Sequence, residues 1–404
     1  LKSILFITYE YPTYTPFGGI AFYYQKVSDI LSRIGLQVTV LTCIPHEEQL
    51  LNDKNANPNF DIIYLRGDTL NEFKKQVHIW LRNKVQEKFD LIEVPEYGAI
   101  LFELIKSKRI YKYCKRVTIR VHGTTILANA YGKAQSDIQQ WLTKTHFYSK
   151  NRILLRISKH LEPSIYYLSK INYREKYTVA NADSVSTPSN LMSSFVNKEW
   201  LKQSKQNVVT FPNPSQFEPE FNFTFENTNE TPKKISYVNR AQLLKGFDLF
   251  TDLSIMMGNI SDSNSNLKFY CYGRFESENS ELTTHINFKG HMGPQEIKKV
   301  YQESYLIIIP SRFESFSNVA LEAMSFGALV LVSNNMGIAE HITNFENGFV
   351  FESGNFDSLL KVFIRIIGLE DSEVMRIREN AFETAKIMAE NSQLKQFYLG
   401  ETNV

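Results

Sequence analysis

A chain of 404 residues with 43% hydrophobic and 13% aromatic side chains holds material for about two or three domains, which excludes general disorder. Its net charge of +2 hides a division: residues 1–213 carry 29 Lys+Arg against 18 Asp+Glu, and the remainder 16 against 25, so the halves stand at +11 and −9. One half is thereby suited to an anionic surface or substrate, but the cations form no nucleic-acid-binding motif, and no apolar run approaches the roughly 18 residues of a spanning helix.

The first predicted element is a buried strand, Ser3–Thr8, which opens the chain as a strand and not as a signal peptide. A loop rich in Pro, Tyr and Gly follows, then a helix over Ala21–Ile34 that Gly35 should end, then the strand QVTVLT. Gly18 and Gly19 lie between strand and helix; paired glycines there are either a plain turn or a place where backbone amides approach a phosphate or sugar. The strand DIIYL, a helix around residues 70–87 and the strand DLIEVP come next, with Glu93 and Glu96 at the last strand's end. Either acid could meet acceptor hydroxyls or simply be solvated. A basic helix over LFELIKSKRIYKYCKR should lead into VTIRVHG, which ends at His122. Residues 141–176 hold eight Lys/Arg and two Glu among large apolar groups, and Pro163 should break their amphipathic helix. That helix either packs on its domain with snorkelling cations or lies on anionic lipid. Asn222–Pro232 is polar and turn-rich, a linker or surface loop. Cys43, Cys114 and Cys271 lack metal-ligand spacing and read as buried thiols of a reducing compartment.

In the second half a strand ISYV ends at Asn239-Arg240, and Lys245-Gly246 starts the next helix. Two cations on a strand-to-helix turn can hold a diphosphate and neutralise its charge as a bond to it breaks. FYCYGR is the next strand, with Gly273 at its tip. The stretch from Leu306 to Phe351 then reads as a buried strand, a loop, a helix and a second buried strand. Strands that do not alternate, joined by a helix, belong to a parallel sheet covered on both faces. The loop from Pro310 to Asn318 therefore sits at a strand's C-terminal end, where open α/β sheets place ligands. Glu314 and Glu322, with seven residues between them, could face one ligand there, and the amides of Phe316, Ser317 and Asn318 could meet an anion or a sugar hydroxyl.

The pattern P-S-R-x-E-S-F-S-N-x-x-L-E-A-M-x-x-G, followed by G-I-A-E and E-N-G-x-x-F, resembles the donor-binding segment of the family 4 retaining glycosyltransferases. The resemblance implies the GT-B fold, an α/β architecture of two Rossmann-like domains facing a central cleft. Residues 1–212 would bind the acceptor and 213–385 the nucleotide sugar, while 386–404 would cross back as a last helix. It implies that Glu314 and the following amides hold the donor sugar and that Glu322 binds the ribose hydroxyls. His122, followed by Gly123, matches the family's His-Gly element near the anomeric carbon, and Gly18-Gly19 resembles its N-terminal glycine loop. Arg240 and Lys245 match G-R-x-x-x-x-K-G, with Asn239 where glycine is usual. The loop Gly290, His291, Met292, Gly293 resembles the segment that meets the nucleobase.

The implied activity is transfer of a sugar, with retention, from a UDP- or GDP-linked donor to a glycan, lipid-linked or polymer acceptor in cell-surface polysaccharide or glycoconjugate synthesis. No Asp-x-Asp occurs, so cations are expected to do a metal's work and no cofactor is required. The expected location is cytoplasmic, with an anionic membrane face as a possible partner and no nucleic acid. A nucleotide-sugar epimerase or hydrolase, and a non-catalytic GT-B partner subunit, are the competing readings.

Overall fold

The structure is a computed structural model describing residues 3–12, 18–44, 59–84, 87–131, 145, 147–148, 150, 152–161, 163–201, 206, 208–221, 232–260, 266–273 and 285–400. All but the last residue of the expected linker 222–232, and much of 141–151, lie outside that set. Chain contacts divide the molecule into two units. Leu1–Leu127, Gln139–Pro214 and Asn391–Val404 make the first, and Ala128–Ile138 with Ser215–Glu390 make the second.

The first unit is built on strands β1 (Ser3–Ile7), β2 (Gln37–Ile44), β3 (Asp61–Arg66), β4 (Phe89–Pro95), β5 (Cys114–Arg120), β6 (Ser184–Thr187) and β7 (Val208–Thr210). They form one parallel sheet in the order β3-β2-β1-β4-β5-β6-β7. Helices α1 (Gly19–Arg33), α2 (Leu70–Lys84), α3 (Phe102–Lys106), α4 (Thr125–Tyr131), α5 (Arg152–Leu161), α6 (Pro163–Ala180) and α7 (Asn190–Phe195) connect them. Gly35, at φ +89°, stops α1 by turning its amide back to Ser32 and passing Leu36 to Leu31. Pro163 is the first residue of α6, where its missing N–H costs nothing.

The long basic helix expected over residues 101–116 is corrected. Only five residues, α3, are α-helical; Lys108 turns left-handed, and Cys114 already stands in β5. The Ser107 hydroxyl donates to the carbonyls of Glu103 and Leu104 at the helix end, competing for acceptors that a longer helix would need.

The second unit repeats the plan with β8 (Lys233–Val238), β9 (Leu267–Tyr272), β10 (Ile286–Gly290), β11 (Leu306–Ile309), β12 (Leu329–Ser333) and β13 (Phe349–Phe351). Their order is β10-β9-β8-β11-β12-β13, all parallel. Both β11 and β12 are buried along their whole length, which explains their unbroken apolar sequence. Around them lie α8 (Phe247–Ile260), α9 (Pro294–Glu303), α10 (Asn318–Met324), α11 (Phe356–Ile367) and α12 (Asp371–Ala389). Asn391, in left-handed backbone, separates α12 from the last helix, α13 (Ser392–Leu399), which belongs to the first unit. Among the described residues no helix is long and apolar enough to cross a membrane.

Each sheet runs outward in both directions from its first strand, the doubly wound order. Each therefore has a switch point, between β1 and β4 in one unit and between β8 and β11 in the other. Loops leaving two adjacent strands diverge there and open a crevice at the carboxyl ends.

Candidate active site

In the second unit the switch point is made by the loops after β8 and β11, and they are tied tightly together. Gly246 has φ +69°, and a Cβ there would lie 1.9 Å from the carbonyl oxygen of Pro310. Arg312 donates its amide to Leu244 and its guanidinium to the Leu243 carbonyl and to both carboxylate oxygens of Asp248. The glycine lets the loops touch, and the arginine holds them there.

That contact brings distant residues onto one carboxylate. Lys245 Nζ lies 2.7 Å from Glu314 Oε1, the Ser311 hydroxyl donates to the same oxygen at 2.6 Å, and Asn239 Nδ2 points at it from 3.4 Å. Burial by itself would raise the Glu314 carboxyl, but the Lys245 charge and the hydrogen bonds outweigh it and hold the acid below its usual value. The carboxylate is ionised, fixed and opposite a cation. Gly273, at φ +155°, lies so close to the loop that a Cβ would stand 2.0 Å from the Asn239 carbonyl, and its amide donates to Gly290. Glycine is thus needed at 273, whereas position 239 tolerates a side chain and uses it. Asn239 Oδ1 accepts from the Arg240 amide while its Nδ2 faces Glu314.

The other expected donor residues are distributed around this cluster. Arg240 is exposed, and no described residue makes an ion pair with it. Gly290 and His291 are exposed, and Met292 is half-buried. Phe316 is core, 1% exposed, and its carbonyl accepts from Ile338. Ser317 is also buried and sits at φ +126°, a strained conformation for a side-chain-bearing residue just before α10. Asn318 is the first residue of α10, and Glu322 lies one turn further on. Glu322 is only 8% exposed and accepts from the hydroxyl of Tyr301 at 2.9 Å. Lys245, Asn239 and Glu314 are therefore brought together, whereas Glu322 is held by a different partner.

In the first unit Gly18 caps α1 in extended backbone and donates its amide to Glu10 Oε2 at 3.3 Å; Gly19 is the first helical residue. His122 is 8% exposed, set edge-on against Tyr23 with ring centres 4.7 Å apart, and its Nε2 is buried without a hydrogen-bond partner. Burial, then the neighbouring Arg120 charge, push its pKa well below the ordinary value, so the ring is neutral.

Two expectations change here. Glu96 is not a solvated strand-end acid; it is 1% exposed and its two oxygens accept from the amides of His122 and Gly123 at 2.9 and 2.8 Å. It shapes the turn that carries His122. Glu93 is fully buried and bonds the hydroxyl of Tyr398 on α13 at 2.8 Å, because it stands within β4 on the face that the last helix covers.

Residues 219–384 match the family described as glycosyl transferases group 1. The matched segment lies within the second unit. The capsular polysaccharide biosynthesis glycosyltransferase CapM of Staphylococcus aureus is 25% identical over 290 residues, 67% of this chain and 73% of CapM. Sucrose-phosphate synthase from Thermosynechococcus elongatus superposes with a TM-score of 0.72 at 16% identity, covering 99% of this chain and 98% of that one. HepE of Anabaena, solved with UDP and glucose, gives 0.64 at 13% identity over 100% of both chains. At such identities the likeness concerns the fold, which is the α/β GT-B type.

The matched segment contains Lys245, Glu314, Glu322 and their ties. Fixed charge at a switch point suits a charged, hydroxyl-rich ligand. Sequence reasoning missed Tyr301 and the role of Ser311. Ser311 stood inside the quoted P-S-R, whereas nothing local distinguished Tyr301 from an ordinary core tyrosine. Arg120 was missed too. It is fully buried, stacked 4.1 Å from the Phe211 ring centre, and donates to Thr187, Phe211 and Asn213 beside the His122 turn.

Proposed function

We propose that this protein is a glycosyltransferase that moves a sugar, with retention of anomeric configuration, from a UDP- or GDP-linked donor to a glycan, lipid-linked or polymer acceptor. The observation that carries the reading is the Lys245–Glu314 pair at the second switch point, with Ser311 and Asn239 holding the same carboxylate. Lys245 and Arg240 neutralise the diphosphate as the bond between the sugar's anomeric carbon and the phosphate oxygen breaks. The acceptor oxygen bonds that carbon from the same face, and its proton passes to the departing phosphate oxygen. No protein base is then required. Glu314 and the amides after it hold the sugar. The part that CapM takes in capsular polysaccharide biosynthesis favours a cell-surface polysaccharide as product class.

Cations in place of a metal ion make EDTA-treated enzyme as fast as untreated enzyme in this reading. The deciding experiment incubates the protein with a panel of UDP- and GDP-sugars, with and without candidate acceptors, and reads the product anomer by NMR. Inverted product would end the retaining mechanism. Sugar released or epimerised at the same rate without acceptor would favour a hydrolase or epimerase. No turnover of any donor, with nucleotide still bound, would favour a non-catalytic subunit.

The same reading places the first unit on an anionic membrane face. On α5, Ile153 is 71% and Ile157 40% exposed, one turn apart, with Arg156 and Lys159 exposed beside them. Sedimentation with anionic but not neutral liposomes, reversed by salt, is expected; equal behaviour with both would remove this placement.

A further inference from the structure

We propose that Tyr301 is a positioning residue for nucleotide recognition: from the core of the second unit its phenol fixes the Glu322 carboxylate in the orientation that grips the donor's ribose. The inference rests on the reading of Glu322 as the ribose-binding acid and adds what makes that acid selective.

Tyr301 lies on α9 and is 1% exposed. Its ring is held by Phe326, with centres 6.1 Å apart and planes 21° apart, and by Phe217, edge-on at 6.4 Å. A phenol locked on two sides has its hydroxyl in one place, and that place is 2.9 Å from Glu322 Oε2. The bond joins α9 to the second turn of α10, just beyond the loop that carries Glu314.

A carboxylate that is 8% exposed at such a point is expensive to keep unless it has work to do, since an apolar residue of similar size would pack there without desolvation. A free glutamate also loses the freedom of its rotatable bonds when it binds a ligand. A charge-assisted bond from a rigid phenol removes that freedom beforehand and leaves the acid aimed. Burial, then the adjacent Glu322 charge, push the Tyr301 pKa well above its ordinary value, so the phenol stays a donor at every working pH.

The test compares ribose with deoxyribose. Calorimetry first finds which of UDP, GDP and ADP binds the wild-type enzyme most tightly, then measures that diphosphate against its 2′-deoxy and 3′-deoxy forms. Wild type is expected to prefer the ribonucleotide about tenfold or more, as a lost bond to a charged acceptor implies. Tyr301→Phe keeps the ring and is expected to lose most of that preference, with its affinity for the deoxy forms unchanged. A merely structural tyrosine would weaken all forms alike and leave the ratio intact. Glu322→Asp keeps the charge but draws it back one methylene from the phenol, and it should behave like Tyr301→Phe. A preference retained by either variant, each shown folded by circular dichroism, overturns the positioning role. A wild type that does not distinguish ribose from deoxyribose overturns the reading of Glu322 itself.

Discussion

At the scale of single residues, the proposed chemistry depends on where one ammonium is held. Lys245 is 17% exposed and Glu314 12%, so their attraction is weakly screened and the lysine is pinned over the switch point. Lys245→Ala should lower kcat at saturating donor by about 10²–10³, comparable to losing a donor that stabilises a developing anion. A variant that turns over near the wild-type rate would remove Lys245 from the mechanism. The depressed Glu314 pKa carries a sign: its contribution to stability is complete above the unfolded-state value and is lost only as pH falls through the lower folded-state value. The pair should therefore survive mild acid.

At the scale of elements, two joints decide whether these residues meet. One is the contact between the loops after β8 and β11. Gly246→Ala would drive a methyl group into the Pro310 carbonyl in a backbone conformation that alanine resists. More than about 1 kcal/mol of stability should go, together with activity, because Lys245 is the neighbouring residue. Wild-type melting and turnover would show that the loops can part freely. The other joint is α13. Leu394, Phe397 and Tyr398 are at most 1% exposed within the core that also holds Phe6, Tyr24 and Phe211. Phe397→Ala should cost about 3–5 kcal/mol in urea unfolding; a cost below 1 kcal/mol would show that the helix is not integral to that core.

Elements were the most legible level of the sequence. The unbroken apolar runs of β11 and β12, the stop at Gly35 and the break at Pro163 follow from local sterics and burial, so each could be read where it stands. The basic stretch around Lys106–Arg116 could not, because a hydroxyl at Ser107 and the pairing of β5 compete with the helix there. At the site, Glu314, Glu322 and Lys245 could be picked out by their pattern, whereas Glu93 and Glu96 looked solvated because burial by β5 and α13 leaves no mark on DLIEVPE.

At the scale of the whole molecule, the pH dependence of stability is set by acids that the fold has buried. Burial raises Glu93 to about 7 against the bonds from Tyr398 and the charges of Arg120 and Arg116. It raises Glu175 to about 8, helped by the nearby Glu96 charge. Both acids hold protons in the native state that the unfolded chain has already released, so stability falls as pH rises from the ordinary carboxylate value towards 7–8. The buried His122 works the other way: its unfolded imidazole is still losing protons just above pH 6.5, so its contribution rises slightly there before it levels off, and the two acids dominate at higher pH. The first unit should melt at a lower temperature at pH 8 than at pH 6.5, and Glu93→Gln with Glu175→Gln should flatten the difference. A flat wild-type profile would mean that these acids are ionised in the folded protein.

Local order along the chain was enough to determine the parallel strands, the glycine turns and the charged side chains at the ends of β8 and β11. Those properties arise from backbone sterics, burial and charge within a few neighbouring residues. Which partner each of them meets was decided only by the doubly wound strand order. It brings Lys245 to Glu314 across 69 positions and Tyr398 to Glu93 across 305, separations over which no local pattern carries information.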